Sequence, residues 1–144
     1  MTTEDTIWEF LKTKRLNEYA IAGIMGNLFA ESALYSNNLE DSRNAILGSD
    51  EVYTRNVDNG RYTRSNFIND GAGYGLAQWT TKDRKSNLYD YCKTRGKSIS
   101  DLTCQLEFLY EELKNYNLLT QLNASNSVNN ASDIILLQFE RPKR

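Results

Sequence analysis

Ala22-Gly23-Ile24-Met25-Gly26-Asn27-Leu28-Phe29-Ala30-Glu31-Ser32 decides how this 144-residue chain is read. Ile21, Ile24, Leu28 and Glu31 recur at helical spacing and fall on one face. Asn17 is a good N-cap, so the spacing predicts a helix from Asn17 to about Ser32. Glu31 is then expected at the edge of the buried stripe, partly desolvated and in the last turn, where the helix dipole disfavours negative charge. Both effects favour the neutral carboxyl, the form a general acid needs. Position alone is weak, because a glutamate at a helix end is ordinarily a solvated surface group. Gly23 and Gly26 each cost this helix about 1 kcal/mol relative to alanine. Beside Ala20, Ala22 and Ala30, they predict close packing against another helix.

A second segment gives the carboxyl a context: Gly73-Tyr74-Gly75-Leu76-Ala77-Gln78-Trp79-Thr80. Gly73, Gly75 and the small Ala77 leave backbone open to a ligand. Tyr74, Gln78 and Trp79 supply a flat apolar face and an amide, suited to sugar rings and N-acetyl groups. Taken alone, the segment also fits a core strand with a buried tryptophan. Residues 62–67 and 73–79 are short, aromatic and bounded by turn residues, and a small β element is expected from them.

The composition narrows the chemistry. Hydrophobic residues make up 40% and charged residues 25%, which fits an ordinary soluble globular domain of this length. The net charge of −2 lacks the basic field of a nucleic-acid binder. There is no histidine. A Ser-His-Asp hydrolase, a Cys-His peptidase and a His-ligated zinc amidase therefore cannot be built from this chain alone. Carboxylate chemistry stays open, with 19 Asp and Glu residues, and no metal or organic cofactor is expected. Cys92 and Cys104 lie among helical apolar positions and read as buried thiols. No apolar run approaches transmembrane length, and the polar N-terminus carries no signal-peptide pattern.

Further helices are expected elsewhere. Thr2 or Thr3 caps the first, and Ser49 caps one that closes near Gly60, with a hairpin at Asp58-Asn59-Gly60 as the competitor. Thr80 or Thr81 caps one that ends near Gly96, and Ser100 caps another with Leu102, Leu106, Leu109 and Leu113 as its stripe. Ser127 caps the last, with Val128, Ala131, Ile135 and Phe139 inward and Pro142 as its stop.

With both segments in place, the chain resembles the lysozyme superfamily. Residues 19–38 resemble its catalytic-helix motif, in which the acidic Glu is followed by Ser. Gly75-Leu76-Ala77-Gln78 resembles the Gly-Leu-x-Gln signature of goose-type lysozymes and soluble lytic transglycosylases. The closer likeness is to the phage tail lysozyme domain family: Ala-Gly-Ile-Met-Gly-Asn-Leu-x-Ala-Glu-Ser, then Gly-Tyr-Gly-Leu-Ala-Gln-Trp-Thr, then Phe139-Glu140-Arg141-Pro142. The resemblance spans nearly the whole chain. It implies one lysozyme-like domain over residues 1–144, cut from a longer protein. The expected fold class is α+β, mainly α, with a small β element beside the active-site cleft.

The resemblance also implies a substrate. This would be the β-1,4 bond between N-acetylmuramic acid and N-acetylglucosamine in peptidoglycan, with Glu31 as catalytic acid and Ser32, Tyr74, Gly75, Gln78 and Trp79 toward the glycan. The implied setting is a phage tail or a wall hydrolase with a peptidase domain, acting on the cell wall from outside. Nucleic acid and membrane insertion are not implied. One departure stands out. Animal c-type lysozymes carry a second carboxylate directly before the Tyr-Gly of the corresponding strand, and here that position is Gly73. Three routes follow. A second carboxylate, Asp70 first and Asp58 next, positions water for inversion at about 6.5–9.5 Å from the acid. Alternatively the muramic 6-hydroxyl attacks, as in a lytic transglycosylase, and leaves an anhydro end. In the third route the substrate's acetamido group assists. Both aspartates also read as turn or capping residues. A non-catalytic glycan-binding or tail structural module is the rival from another class.

Overall fold

A computed structural model describes residues 1–140. The expected stop at Pro142, and the Arg141-Pro142 end of the terminal motif, lie outside the described residues. Among the described residues the helices are, in chain order, α1 (Thr3–Thr13), α2 (Glu18–Ser32), α3 (Asn44–Leu47), α4 (Asp50–Asp58), α5 (Arg64–Asn69), α6 (Lys82–Thr94), α7 (Leu102–Asn115), α8 (Leu119–Asn123) and α9 (Val128–Ile134). A 3-10 turn at Asp41–Arg43 precedes α3, and a π-helical segment, Ile135–Glu140, continues α9. The chain divides into two compact units, Met1–Leu34 with the chain from Leu109 onward, and Tyr35–Phe108.

Local chemistry starts most of these helices. Thr2 caps α1 through a reciprocal box with Asp5, and the Asn17 side chain accepts from Ala20 N to begin α2. Ser49, Thr81 and Ser127 cap α4, α6 and α9 in the same way, accepting from Val52, Arg84 and Asn130 N. The helix at 50–58 prevails over the hairpin alternative. α7 is capped one residue later than expected, by Asp101, whose carboxylate accepts from Cys104 N at 2.9 Å. Val128 stays 44% exposed rather than turning inward.

In the first unit, α2 lies against α9, and the expectation for the two glycines divides. A Cβ on Gly23 would stand 2.7 Å from Ala131 Cβ and 2.8 Å from Ser132 N, so glycine is what lets these backbones approach. Asn27 Nδ2 reinforces the contact, donating to Ser132 O at 3.3 Å and Ser132 Oγ at 3.1 Å. Gly26 meets nothing within 4 Å and is simply tolerated. Gly23→Ala is therefore expected to destabilise by about 1–3 kcal/mol through overpacking against backbone. Gly26→Ala is expected to stabilise by about 0.5–1 kcal/mol through helix propensity. Thermal denaturation of the two variants against the parent measures both.

The second unit corrects the expected fold class. No strand occurs among its described residues, and the β element is absent. Residues 62–67 were expected to be extended. Instead, Thr63 and Asn66 form a capping box, and the chain enters α5. Residues 73–79 fold into a tight loop. Tyr74 and Trp79 exchange backbone hydrogen bonds of 3.0 Å in each direction, and Tyr74 also bridges Leu39; both are isolated bridges that do not extend into a strand. Gln78 N donates to Gly75 O at 3.1 Å, with Gly75 at φ 82° and Gln78 at φ 52°. Two positive φ values within four residues cannot occur in an extended strand. The small residues that suggested open sheet backbone serve this turn instead. The unit's core is aromatic, with Tyr53, Phe67 and Tyr74 buried and their ring centroids 5.5–6.1 Å apart.

Candidate active site

Glu31 and Ser32 close α2 in the first unit, whereas Asp70, Tyr74, Gly75, Gln78 and Trp79 belong to the second. Ile21, Ile24 and Leu28 are buried as the stripe required. Glu31 itself is exposed, not half-covered. Ala33 and Leu34, both at positive φ (53° and 66°), break the helix immediately after Ser32. This keeps Glu31 in the final turn, at the negative end of the dipole. Among the described residues, no hydrogen bond or ion pair engages its carboxyl. Ser32 is buried, and its hydroxyl donates to Leu28 O at 2.9 Å.

Tyr74 and Trp79 are both 0% exposed. The Tyr74 hydroxyl hydrogen-bonds Thr54 Oγ1 at 2.5 Å, and burial pushes its ionisation well above the ordinary tyrosine range. Trp79 packs edge-on against Phe108 at 5.4 Å. Their rings are core, not a flat platform for sugars. Gln78 clips the loop: its Nε2 donates to Asn38 O at 2.8 Å and Gly75 O at 3.0 Å. A Cβ on Gly73 would stand 2.8 Å from Gln78 Oε1.

Gln105, not singled out from sequence, holds the same loop from below. It is fully buried; its Oε1 accepts from Leu76 N at 3.0 Å, and its Nε2 donates to Ser36 O and Ile99 O, each at 2.7 Å. A Cβ on Gly75 would come within 2.8 Å of that amide, so only glycine fits there. Glu40 fastens the start of the loop, its Oε1 accepting from Gly73 N at 2.9 Å.

Asp70 sits at the centre of a buried polar network. Oδ1 accepts from Lys85 Nζ at 2.6 Å and Ala72 N at 2.9 Å, and Oδ2 accepts from Tyr53 OH at 2.6 Å and Tyr62 OH at 2.9 Å. The side chains of Lys85 and Asp70 are 0% and 8% exposed. Lys85 spends its remaining donors on Ala72 O at 2.8 Å and Tyr53 OH at 3.2 Å. Burial pushes the Lys85 ammonium below its ordinary value, and Asp70 pulls it back up. Burial, then the bond to Asp70, pushes both tyrosines above their ordinary range, which keeps them donors. Lys85 was the main omission from sequence. The signal was its place at helical spacing with the buried Leu88 and Cys92 on α6.

Asp58 is likewise engaged, by Lys93 Nζ at 2.8 Å, Ser98 Oγ at 2.5 Å and Ile99 N at 3.1 Å. Cys92 and Cys104 are free buried thiols. Among the described residues, no three His, Cys, Asp or Glu side chains gather as a metal site, and no helix is long and apolar enough to cross a membrane.

A mainly helical chain that presents an unpartnered carboxyl at a helix end, with a clipped Gly-Leu-Ala-Gln turn, has the features of a lysozyme-like protein. The model of the phage tail lysozyme family matches residues 2–144, and the chain belongs to that family. Membership makes it a lysozyme-like protein that acts on peptidoglycan, and fits virion-associated action on the cell wall. Searches of the curated proteins and of the solved structures gave no match.

Proposed function

We propose that the chain cleaves the β-1,4 bond between N-acetylmuramic acid and N-acetylglucosamine, with Glu31 as general acid. The observation that carries this reading is the Glu31 carboxyl, exposed at the end of a rigid helix with no partner among the described residues. What singles it out from an ordinary solvated glutamate is its place in the catalytic-helix motif that residues 19–38 resemble. It is available to a substrate oxygen. A glycan strand laid over the helix end would exclude water there and bring the leaving oxygen within reach of the carboxyl. The domain over residues 1–144 would work in a phage tail or within a larger wall hydrolase.

The second carboxylate is where the geometry bears on mechanism. Each Asp70 oxygen already accepts two hydrogen bonds, and none is left to hold an attacking water. Asp58 is engaged as well, with two hydrogen bonds on Oδ1 and one on Oδ2. This favours a route that needs one protein carboxylate, with the nucleophile supplied by the substrate. Attack by the muramic 6-hydroxyl, leaving an anhydro end, is therefore the second reading of the chemistry. In both readings Asp70 serves to shape the Ala72–Gln78 loop. Mass spectrometry of a cell-wall digest separates the two outcomes, because anhydro-muramyl ends are lighter by one water than hydrolysed ends. The engaged aspartates predict a measurable anhydro fraction. Exclusively hydrolysed ends would return the mechanism to a second carboxylate or to the acetamido route.

A further inference from the structure

Along α4 the second unit opens a cavity of about 500 Å³. That is within the size range of small-ligand sites. Its floor is rigid and polar. Thr54 is held by Tyr74 OH, and Asp58 and Ser98 are bonded to each other. Its rim is the reverse. Among the described residues, the Asn37, Glu51 and Arg55 side chains make no hydrogen bond or ion pair. Glu51 and Arg55 stand one helical turn apart, the spacing at which opposite charges ordinarily pair across a helix face. Here they do not pair, and both line the opening. The lining contains no aromatic ring, so a pyranose would find no face on which to stack.

An anion, a cation and an amide left free around a preformed polar floor match a ligand that carries both an amine and a carboxylate along an amide backbone. We propose that this cavity holds the peptide stem of peptidoglycan, a deduction that rests on the wall-directed reading above. Glu51 takes an ammonium group of the stem, Arg55 takes a carboxylate through paired donors, and Asn37 bonds the peptide backbone. The site selects walls by their peptide. It takes no part in glycosidic chemistry.

The test is a titration of the isotope-labelled chain, followed by amide NMR shifts, with two soluble probes. One is a free stem tetrapeptide, and the other is the peptide-free disaccharide. The tetrapeptide should move the amides of residues 51–59. Glu51→Gln and Arg55→Gln should each weaken its binding about tenfold, the loss expected from one charge-assisted hydrogen bond. Both side chains are exposed, so unchanged melting temperatures should accompany the loss. Shifts there from the disaccharide alone, no shifts with the tetrapeptide, or unaltered affinity in both variants would overturn the proposal. Digestion of peptide-stripped glycan by the parent chain is read separately. Stripped glycan left uncut while intact walls are cut would fit selection by the peptide; intact walls left uncut would sink the glycosidase reading, while the tetrapeptide titration still decides the cavity.

Discussion

Glu31→Gln should lower the rate of wall digestion by about 10²- to 10⁴-fold, the usual contribution of a positioned general acid. The amide keeps the size and hydrogen-bonding shape of the carboxyl but has no proton to give. Glu31 is exposed and unpartnered, so the same substitution should leave stability within about 0.5 kcal/mol of the parent. Loss of rate with the melting temperature intact is the signature of chemistry at that carboxyl. Glu31→Asp adds a graded control. Withdrawing the acid by one methylene misplaces it by about 1 Å, and such a shift can cost about 10²-fold. Turbidity loss of purified walls, beside a melting curve for each variant, provides both readouts.

The largest stability effect is expected at Lys85. Lys85→Met leaves Asp70 buried with its main counter-charge removed, and breaking one side of a buried pair costs about 3–5 kcal/mol. Asp70→Asn should cost a similar amount by stranding the ammonium. The double variant should lose clearly less than the two single losses added together, because neither charge is then left alone. Denaturant unfolding of the four proteins measures this coupling. The network ties Tyr53 on α4, Asp70 after α5, the Ala72 carbonyl and Lys85 on α6 to the start of the Gly73–Gln78 turn. Wild-type kcat in folded Asp70→Asn would agree with a shaping role. A kcat loss comparable to that of Glu31→Gln would restore Asp70 as a participant in the chemistry.

The sequence was most legible where a local interaction decides the structure. Thr2, Asn17, Ser49, Thr81 and Ser127 each begin a helix because a short side chain satisfies a backbone N–H three residues on. The Ile21-Ile24-Leu28 stripe placed Glu31 in its final turn for the same reason of period. Legibility failed where a distant partner decides. Residues 73–79 are short, aromatic and bounded by turn residues, as a strand would be. Gln105 lies far along the chain, yet its amide bonds to Leu76 N and its bulk fills the space beside Gly75, helping to hold the turn. The same holds for Tyr74 and Trp79, whose aromatic character suits a sugar as well as a core. Only their neighbours Thr54 and Phe108 separate the two readings. Lys85 was missed because lysine ordinarily keeps its charge in water. Nothing local announced that Asp70, Tyr53 and the Ala72 carbonyl would receive it.

Which sugar carries the newly exposed end tests the central claim most directly. Walls digested by the parent chain, then reduced with borohydride and hydrolysed, would reveal the sugar alcohol at each new reducing end, with anhydro ends scored by mass. The account predicts muramic acid at every new end, reduced or anhydro, and none above background with Glu31→Gln. New N-acetylglucosamine ends, or muramic ends released equally by the Glu31→Gln variant, would contradict it.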